Sequence, residues 1–138
     1  MKIGITGSRD GTTNEQLSLI AKFLSERDEG AEVHHGDCVG ADMQVHHLAV
    51  SESMRIVVHP PNINALRAYC KGDETREPLP YLDRNRKIVD ECDILLVIPD
   101  GPERLRSGTW STVRYARRIH KPAHFIYPDG TEIFEDNQ

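Results

Sequence analysis

The sequence predicts a single α/β domain of three layers, in which helices cover both faces of a five-stranded, mainly parallel sheet. Short apolar runs alternate with amphipathic helical patterns along almost the whole chain, which is typical of a parallel sheet. Glycine or proline follows several of the apolar runs, as expected where a buried strand passes into a loop. The length of 138 residues fits one domain, and we assign residues 1–138 to it.

The strands are predicted where the apolar runs are short and bounded by turn residues. In chain order they are Lys2–Thr6, Ala31–His35, Arg55–His59, Asp93–Ile98 and Pro122–Tyr127. The first run stops at Gly7, the second at Gly36 and the third at Pro60. The fourth run is the most apolar of the five.

Helical spacing of apolar residues predicts the elements between the strands. The first helix covers residues near 13–27, with Thr12 and Glu15 as a capping box at its start and Gly30 beyond its end. An apolar stripe over residues 41–49 marks the second helix. The others are predicted at residues 63–70, 81–91 and 108–120. Residues 71–80 are predicted to form a polar loop, and the acidic tail at 129–138 is expected to be peripheral.

The order of the five predicted strands in the sheet is expected to be 3-2-1-4-5. Right-handed crossovers bring the carboxyl ends of parallel strands to one edge, together with the N-termini of the helices that follow them. The strand order reverses between strands one and four, so the loops after these two strands meet there. Ligands of such sheets bind at this point.

The overall composition limits the classes of partner. Lys and Arg number 17 against 22 Asp and Glu, which gives a net charge of −5. Because nucleic-acid footprints usually show a basic face, nucleic acid is not an expected partner. No apolar stretch is long enough to span a membrane, and the start of the chain does not resemble a signal peptide, so we expect a cytoplasmic protein.

Two glycine-rich loops follow the first two strands and carry candidate ligand-binding residues. The first offers Gly7, Ser8 and Arg9 just before a helix N-terminus, which attracts anions. The second contributes Gly36, Asp37, Cys38, Gly40, Ala41 and Asp42. Asp37 and Asp42 are suited to accept hydrogen bonds from ribose or to act as a base, although Asp42 also suits the first turn of its helix. Cys38 is more often a small buried residue than a nucleophile.

Two later segments point to the same edge of the sheet. Asn85 interrupts an apolar helical face beside Arg84, and a polar amide in that position needs a partner. Ser107, Gly108 and Thr109 open the last helix with amides and hydroxyls that suit a phosphate, although helix capping also explains Ser107 and Thr109. We expect Arg104 and Arg106 to be mobile, and His59, at the end of the third strand, to contact the ligand.

The histidines and cysteines do not form a recognisable metal-binding motif. Asp42 and His46 share a helical face near Cys38, but no spacing matches a common ligand pattern. His34 and His35 point to opposite faces of a strand and cannot easily bind one ion together. Cys38, Cys70 and Cys92 are widely spaced, so a disulfide framework is not supported. We therefore assign no metal and no cofactor.

In these loops the sequence resembles the SLOG superfamily, which includes the Lonely Guy phosphoribohydrolases, and in particular its small YpsA-related branch of bacterial and phage proteins. The resemblance covers about residues 1–127 and rests on the following segments: Gly7-Ser8-Arg9, Gly36–Asp42, Arg84-Asn85 and Gly108-Thr109. It implies a Rossmann-like three-layer fold that binds nucleotides or nucleotide-derived signals at these loops. In the phosphoribohydrolases a Pro-Gly-Gly-x-Gly-Thr-x-x-Glu motif supplies a glutamate, with an arginine on the preceding helix that Arg84 matches.

This chain departs from that motif, because Pro-Gly-Gly is absent and Thr112 stands at the glutamate position. A threonine neither stabilises an oxocarbenium-like centre nor transfers a proton well. The leading hypothesis is therefore a binding domain for a nucleotide or nucleotide derivative, acting as a sensor or sequestering protein. The alternative is an N-glycosidic hydrolase or transferase with Asp37, Asp42 and Arg84 as catalytic residues. Dimerisation through the helices stays open.

Overall fold

A computed structural model describes all of residues 1–138. The centre of the structure is one sheet of seven strands. The strands are β1 (Lys2–Gly7), β2 (Glu32–His35), β3 (Arg55–Val58), β4 (Glu74–Thr75), β5 (Ile94–Ile98), β6 (Ala123–Ile126) and β7 (Glu132–Glu135). They lie in the order β4-β3-β2-β1-β5-β6-β7, and only β7 runs antiparallel to its neighbour. The predicted α/β fold is confirmed, and the five predicted strands lie in the predicted order.

Two additional strands at the edges correct the prediction of five. β4 falls in the segment predicted as a polar loop, and with two residues it is too short to produce a pattern in the sequence. β7 falls in the tail that we expected to be peripheral. Its sequence is Glu-Ile-Phe-Glu. Because an acidic residue stands at each end, the segment lacks the longer apolar run from which a strand is predicted. Pairing with β6 and an ion pair between Arg117 and Glu135 attach β7 to the domain.

Four α-helices pack on the sheet, namely α1 (Asn14–Ser25), α2 (Ala41–Ser51), α3 (Tyr81–Glu91) and α4 (Gly108–Arg118). The capping box of α1 lies one residue later than predicted: the Gln16 amide donates to Thr13 Oγ1 at 3.1 Å, and the Thr13 amide donates to the Gln16 side chain at 3.0 Å. The helix predicted at 63–70 is only a single 3₁₀ turn, Asn64–Leu66. No helix is long and apolar enough to cross a membrane.

The core consists of two apolar clusters, one on each face of the sheet. The larger cluster contains 14 buried residues, including Ile20 of α1 and Val45 of α2. The smaller contains nine, including Val89 of α3 and Trp110 of α4. Alternate residues of β5 belong to different clusters, with Leu96 in the larger and Leu95 in the smaller. This burial on both faces explains why the run at 93–98 is the most apolar of the strands.

Candidate functional site

The loop after β1 is fastened to the neighbouring strand and to the start of α2. The Ser8 amide donates to the Ile98 carbonyl at 3.1 Å, and the Ala41 amide donates to the Ser8 carbonyl at 2.9 Å. Gly40 has a φ of 93°, and a Cβ at this position would collide with the Arg9 carbonyl oxygen. Gly40 is therefore required for the loops after β1 and β2 to approach each other.

A cleft of about 370 Å³ opens between the loop after β1 and the segment that joins β5 to α4. We call it the outer cleft. Both segments leave the carboxyl ends of strands at which the order of the sheet reverses. Six of the residues predicted from the sequence line it: Gly7, Ser8, Arg9, Ser107, Gly108 and Thr109.

One wall of the outer cleft is the N-terminus of α4. Ser107 is the N-cap, and its Oγ accepts a hydrogen bond from the Trp110 amide at 3.3 Å. The first amides of a helix have no partner within the helix and carry partial positive charge. Gly108 lies directly against the Tyr81 hydroxyl, which occupies the place that a Cβ would need. Tyr81, the first residue of α3, thereby forms part of the same wall.

The charged side chains of the outer cleft leave two arginines without an acidic partner. Arg104 is paired with Asp100, with 2.6 Å between Nη1 and Oδ1. Arg106 lines the cleft and forms no ion pair. Arg9 also forms none, and its guanidinium lies 4.8 Å from the centre of the Tyr81 ring. The outer cleft therefore offers two free guanidinium groups beside a helix N-terminus.

A narrow second pocket adjoins the outer cleft, and Gly7, Arg9 and Tyr81 line both. We call it the inner pocket. It brings together five further residues predicted from the sequence: Gly36, Cys38, Asp42, Arg84 and Asn85. Residues from the loop after β2 and from α3 thus meet residues from the loop after β1 at one place.

Arg84 is a buried cation in the inner pocket, with 2% of its surface exposed. Its Nε donates to Asn85 Oδ1 at 2.7 Å, and Nη1 donates to the carbonyls of Gly36 and of His59, the latter at 3.1 Å. Nη2 lies 3.6 Å from Cys38 Sγ. None of these hydrogen-bond partners is a carboxylate, although the Asp42 carboxyl group lies close enough to interact with the charge of Arg84.

Two titratable groups of the inner pocket have shifted pKa values. Burial raises the pKa of Asp42 to about 6, although the nearby Arg84 guanidinium opposes the rise. Burial and the Asp42 carboxylate raise the pKa of the Cys38 thiol, against Arg84. Asp42 is consequently a carboxyl group that can exchange a proton near neutral pH, whereas Cys38 is not disposed to form a thiolate.

Asp37 lies outside both pockets and is fully buried. Its Oδ2 accepts a hydrogen bond from Arg67 Nε at 2.7 Å, and Oδ1 accepts one from the Cys70 amide at 2.8 Å. The Asp37 carbonyl also accepts from the Ala68 amide at 2.7 Å. Asp37 therefore fastens the segment around residues 67–70 to the loop after β2.

Three other predicted ligand-binding residues line neither pocket, namely Gly40, Ala41 and His59. Gly40 and Ala41 join the loop after β2 to α2, and the Ala41 side chain is fully buried in the larger core cluster. His59 is 2% exposed, and its Nε2 lies 2.9 Å from His34 Nδ1. Thr112, at the position of the family glutamate, donates to the Gly108 carbonyl at 2.8 Å and faces a different depression between α3 and α4.

Sequence reasoning missed Tyr81, Asp100 and Arg67 as residues of this region. Tyr81 directly follows a proline-containing loop and opens α3, and this placement is the sequence signal that could have assigned it to the edge of the sheet. Arg67 has no such signal, because its partner Asp37 is 30 residues away. Arg104 and Arg106 were predicted only to be mobile, and the structure pairs Arg104 with Asp100.

Comparisons with known proteins connect this chain to solved structures by fold. No protein-family model matches the sequence, and no curated protein matches it. The molybdenum cofactor binding protein of the phototrophic bacterium Rippkaea orientalis has a TM-score of 0.71 at 21% identity, over 91% of this chain and 76% of that protein. The X-ray structure of TM1055 gives 0.65 at 17% identity, over 88% of this chain and 71% of the other.

DNA processing protein A of Helicobacter pylori, studied for its single-stranded DNA binding mode, has a TM-score of 0.63 at 23% identity. The match covers 91% of this chain and 64% of that protein. At these identities the comparisons establish the Rossmann-like fold, which agrees with the resemblance to SLOG. Membership of the YpsA-related branch stays a prediction. The expectation that nucleic acid is not a partner gains no support from them.

Proposed function

We propose that this domain binds a nucleotide or nucleotide-derived molecule, with a phosphate of the ligand in the outer cleft. The observation that carries the proposal is the meeting of Arg9, Arg106 and the N-terminus of α4 in one cleft, where neither guanidinium has an acidic partner. Guanidinium groups and helix amides are donors that suit the oxygens of a phosphate. A volume of about 370 Å³ lies within the range of small-molecule sites.

The inner pocket, with a volume of about 20 Å³, has room for one small polar group and not for a ribose or a base, so the ligand occupies the outer cleft. Arg9 and Tyr81 line both pockets, so the polar groups of the inner pocket lie directly behind the wall of the outer cleft. Arg84 and Asn85, which hydrogen-bond each other there, support the loops that form the outer cleft. Sensing or sequestering a nucleotide requires only these contacts and no catalytic pair.

Calorimetric titration with matched ligands tests the proposal. A comparison of adenosine with adenosine monophosphate measures what the phosphate contributes to affinity. Mono-, di- and triphosphates of the other nucleosides then measure what the base and the number of phosphates contribute. Arg106→Gln is expected to weaken binding of the best phosphate-bearing ligand by about tenfold or more, which corresponds to loss of one charge-assisted contact. Arg118→Gln, at the far end of α4, is the charge-matched control and is expected to bind normally. Equal binding by wild type and Arg106→Gln contradicts the proposed phosphate position.

A second function, cleavage of an N-glycosidic bond, is favoured by one observation, the raised pKa of Asp42 beside Arg84. In this alternative Asp42 is the catalytic carboxyl group, while Asp37 is held by Arg67 and Cys70 and is not available. The alternative predicts release of free base from a nucleoside monophosphate and loss of that release in Asp42→Asn. Chromatography of the reaction mixture measures the free base. Absence of free base with every nucleotide tested refutes the alternative.

Single-stranded DNA is the competing ligand, because a structural neighbour is studied for binding it. The net charge of −5 and the small number of free cations on the outer cleft favour a single nucleotide instead. Fluorescence anisotropy of a labelled oligonucleotide at low and high salt distinguishes the two. We expect the oligonucleotide not to bind. Binding whose affinity falls steeply with salt would show that single-stranded DNA, and not a free nucleotide, is the ligand.

A further inference from the structure

A pocket of about 140 Å³ lies between α3 and α4 and shares no lining residue with the outer cleft. We call it the helix pocket. Three arginines line it, Arg86 of α3 and Arg114 and Arg118 of α4, and no acidic residue does. The helix pocket therefore concentrates positive charge on a protein whose net charge is −5.

Arg86 and Arg118 form no ion pair and lie against the same aromatic ring. Their guanidinium carbons are 5.1 Å and 5.6 Å from the centre of the Tyr115 ring. The Tyr115 hydroxyl donates to Asp90 Oδ1 at 2.6 Å, which fixes the ring. The ring attracts the two cations but accepts few of their N–H groups. Both guanidinium groups are therefore held in place with donors left for an anion.

Arg114, the third cation of the helix pocket, already has partners. Its Nη1 lies 3.3 Å from Glu103 Oε2, and its Nη2 donates to the Leu105 carbonyl at 3.1 Å. The charge of Arg114 is thus compensated in part. The uncompensated positive charge of the helix pocket comes from Arg86 and Arg118.

Two neutral side chains of the helix pocket have donors without a hydrogen-bond partner. Asn85 is 9% exposed, and its Oδ1 accepts from Arg84 Nε at 2.7 Å, which leaves Nδ2 as the free end of the amide. The Ser111 hydroxyl on the facing helix forms no hydrogen bond either, whereas the Thr112 hydroxyl donates to the Gly108 carbonyl. Because an amide buried to this extent usually has a partner, the free Nδ2 of Asn85 indicates a ligand.

We propose that the helix pocket binds a phosphate group, either the free ion or the phosphoryl group of a small ester. Guanidinium, amide and hydroxyl groups are donors, and a phosphate has an acceptor oxygen for each of Arg86, Arg118 and Asn85. A carboxylate has only two oxygens and a single charge. The volume of about 140 Å³ holds one such group with water but is below the range of about 300–1,000 Å³ for sites that enclose a whole small molecule.

The helix pocket is independent of the nucleotide site proposed in the outer cleft. The two have no lining residue in common, and a nucleoside does not fit into the helix pocket. Replacement of Arg118 is therefore expected to weaken phosphate binding in the helix pocket and to leave nucleotide binding in the outer cleft unchanged. Replacement of Arg106 is expected to have the opposite effect.

Two-dimensional NMR titration of the isotope-labelled protein with inorganic phosphate tests the proposal, because it separates this pocket from the outer cleft. The Asn85 side-chain amide is expected to shift and to reach saturation. Arg86→Gln and Arg118→Gln are each expected to raise the Kd measured at this signal by about tenfold or more, which corresponds to loss of one charge-assisted contact. Lys87→Gln removes one charge from the exposed residue beside Arg86 and, like Arg106→Gln, is expected to leave this Kd unchanged.

Three results would overturn the proposal. They are absence of a saturable shift at Asn85 in wild type, an unchanged Kd in both Arg86→Gln and Arg118→Gln, and an equal rise in Lys87→Gln, which would indicate a general effect of net charge. Acetate bound as tightly as phosphate would overturn the assignment to a phosphate group. Glycerol phosphate distinguishes the two sources: binding as tight as that of inorganic phosphate indicates an ester, and much weaker binding indicates the free ion.

Discussion

Asp42 is the only carboxyl group that lines the inner pocket, and its titration affects stability. Its pKa is raised from 3.8 to about 6 by burial, so the folded state holds the proton more tightly than the unfolded state. Its contribution to stability is therefore greatest below pH 4 and falls as the pH rises towards and through 6. The size of the fall is about 3 kcal/mol, from about two pKa units.

Asp42→Asn is expected to remove the loss of stability that ionisation of Asp42 causes. Compared with wild type, the variant should become progressively more stable between pH 4 and pH 7, by up to about 3 kcal/mol in the free energy of unfolding. Urea titrations of both proteins at several pH values measure the difference. A difference that stays constant over this range would show that Asp42 is not a buried group with a raised pKa.

Asp37 has a structural role that also predicts the effect of its replacement. Asp37→Asn keeps the side-chain shape and the positive φ of 58°, which asparagine tolerates, but removes the charge that Arg67 contacts. We expect a loss of about 2 kcal/mol in unfolding free energy and faster hydrogen exchange at the Cys70 amide. The exposed Asp28→Asn should change stability by less than about 0.5 kcal/mol. Unchanged exchange at Cys70 would contradict this role.

At the residue scale the sequence indicated which loops carry polar groups, but not what these groups contact. Glycine, serine and arginine after β1 suggested an anion site, because a βα turn with these residues presents amides and a cation. The same reasoning treated Asp37 as a candidate base, since its partners Arg67 and Cys70 come from a loop without a recognisable pattern. The contact between His34 and His59 was not predictable either, because the two residues are 25 positions apart in the sequence.

At the scale of elements, the contact between α3 and α4 depends on the absence of a side chain at Gly108. Gly108→Ala is expected to displace Tyr81 and to destabilise the domain, whereas Tyr81→Phe removes the closest atom. A double-mutant cycle should therefore show that Gly108→Ala costs at least about 1 kcal/mol less when Tyr81 is already phenylalanine. Additive effects in urea unfolding would contradict the close approach of these residues.

Element prediction succeeded where burial was strong and failed where it was weak. The bounds of α3 are those predicted, because its apolar stripe packs against the smaller core cluster. β4 and β7 were missed because their side chains are mostly exposed and their pairing with β3 and β6 depends on distant partners. The start of α1 was misplaced by one residue, since Thr12 and Thr13 are both good N-cap residues.

At the scale of the whole molecule, the topology brings the candidate site residues to one edge of the sheet. The reversal of strand order between β1 and β5 brings Arg9 and the segment containing Arg106 to the same cleft, although the two arginines are almost a hundred positions apart. An acidic protein can therefore present a local site for an anion. The parallel order was predictable from the alternation of strands and helices, and it is the reason that the loops could be placed together before the structure was known.

The most direct test of the central claim is mass spectrometry of small molecules released when the freshly purified protein is denatured. Wild type is expected to release a phosphate-bearing nucleotide or nucleotide derivative in near-equimolar amount. The variant with both Arg9→Gln and Arg106→Gln should release much less, and Arg118→Gln should release as much as wild type. Equal release from all three proteins, or release from wild type of a ligand without phosphate, would contradict a phosphate site in the outer cleft.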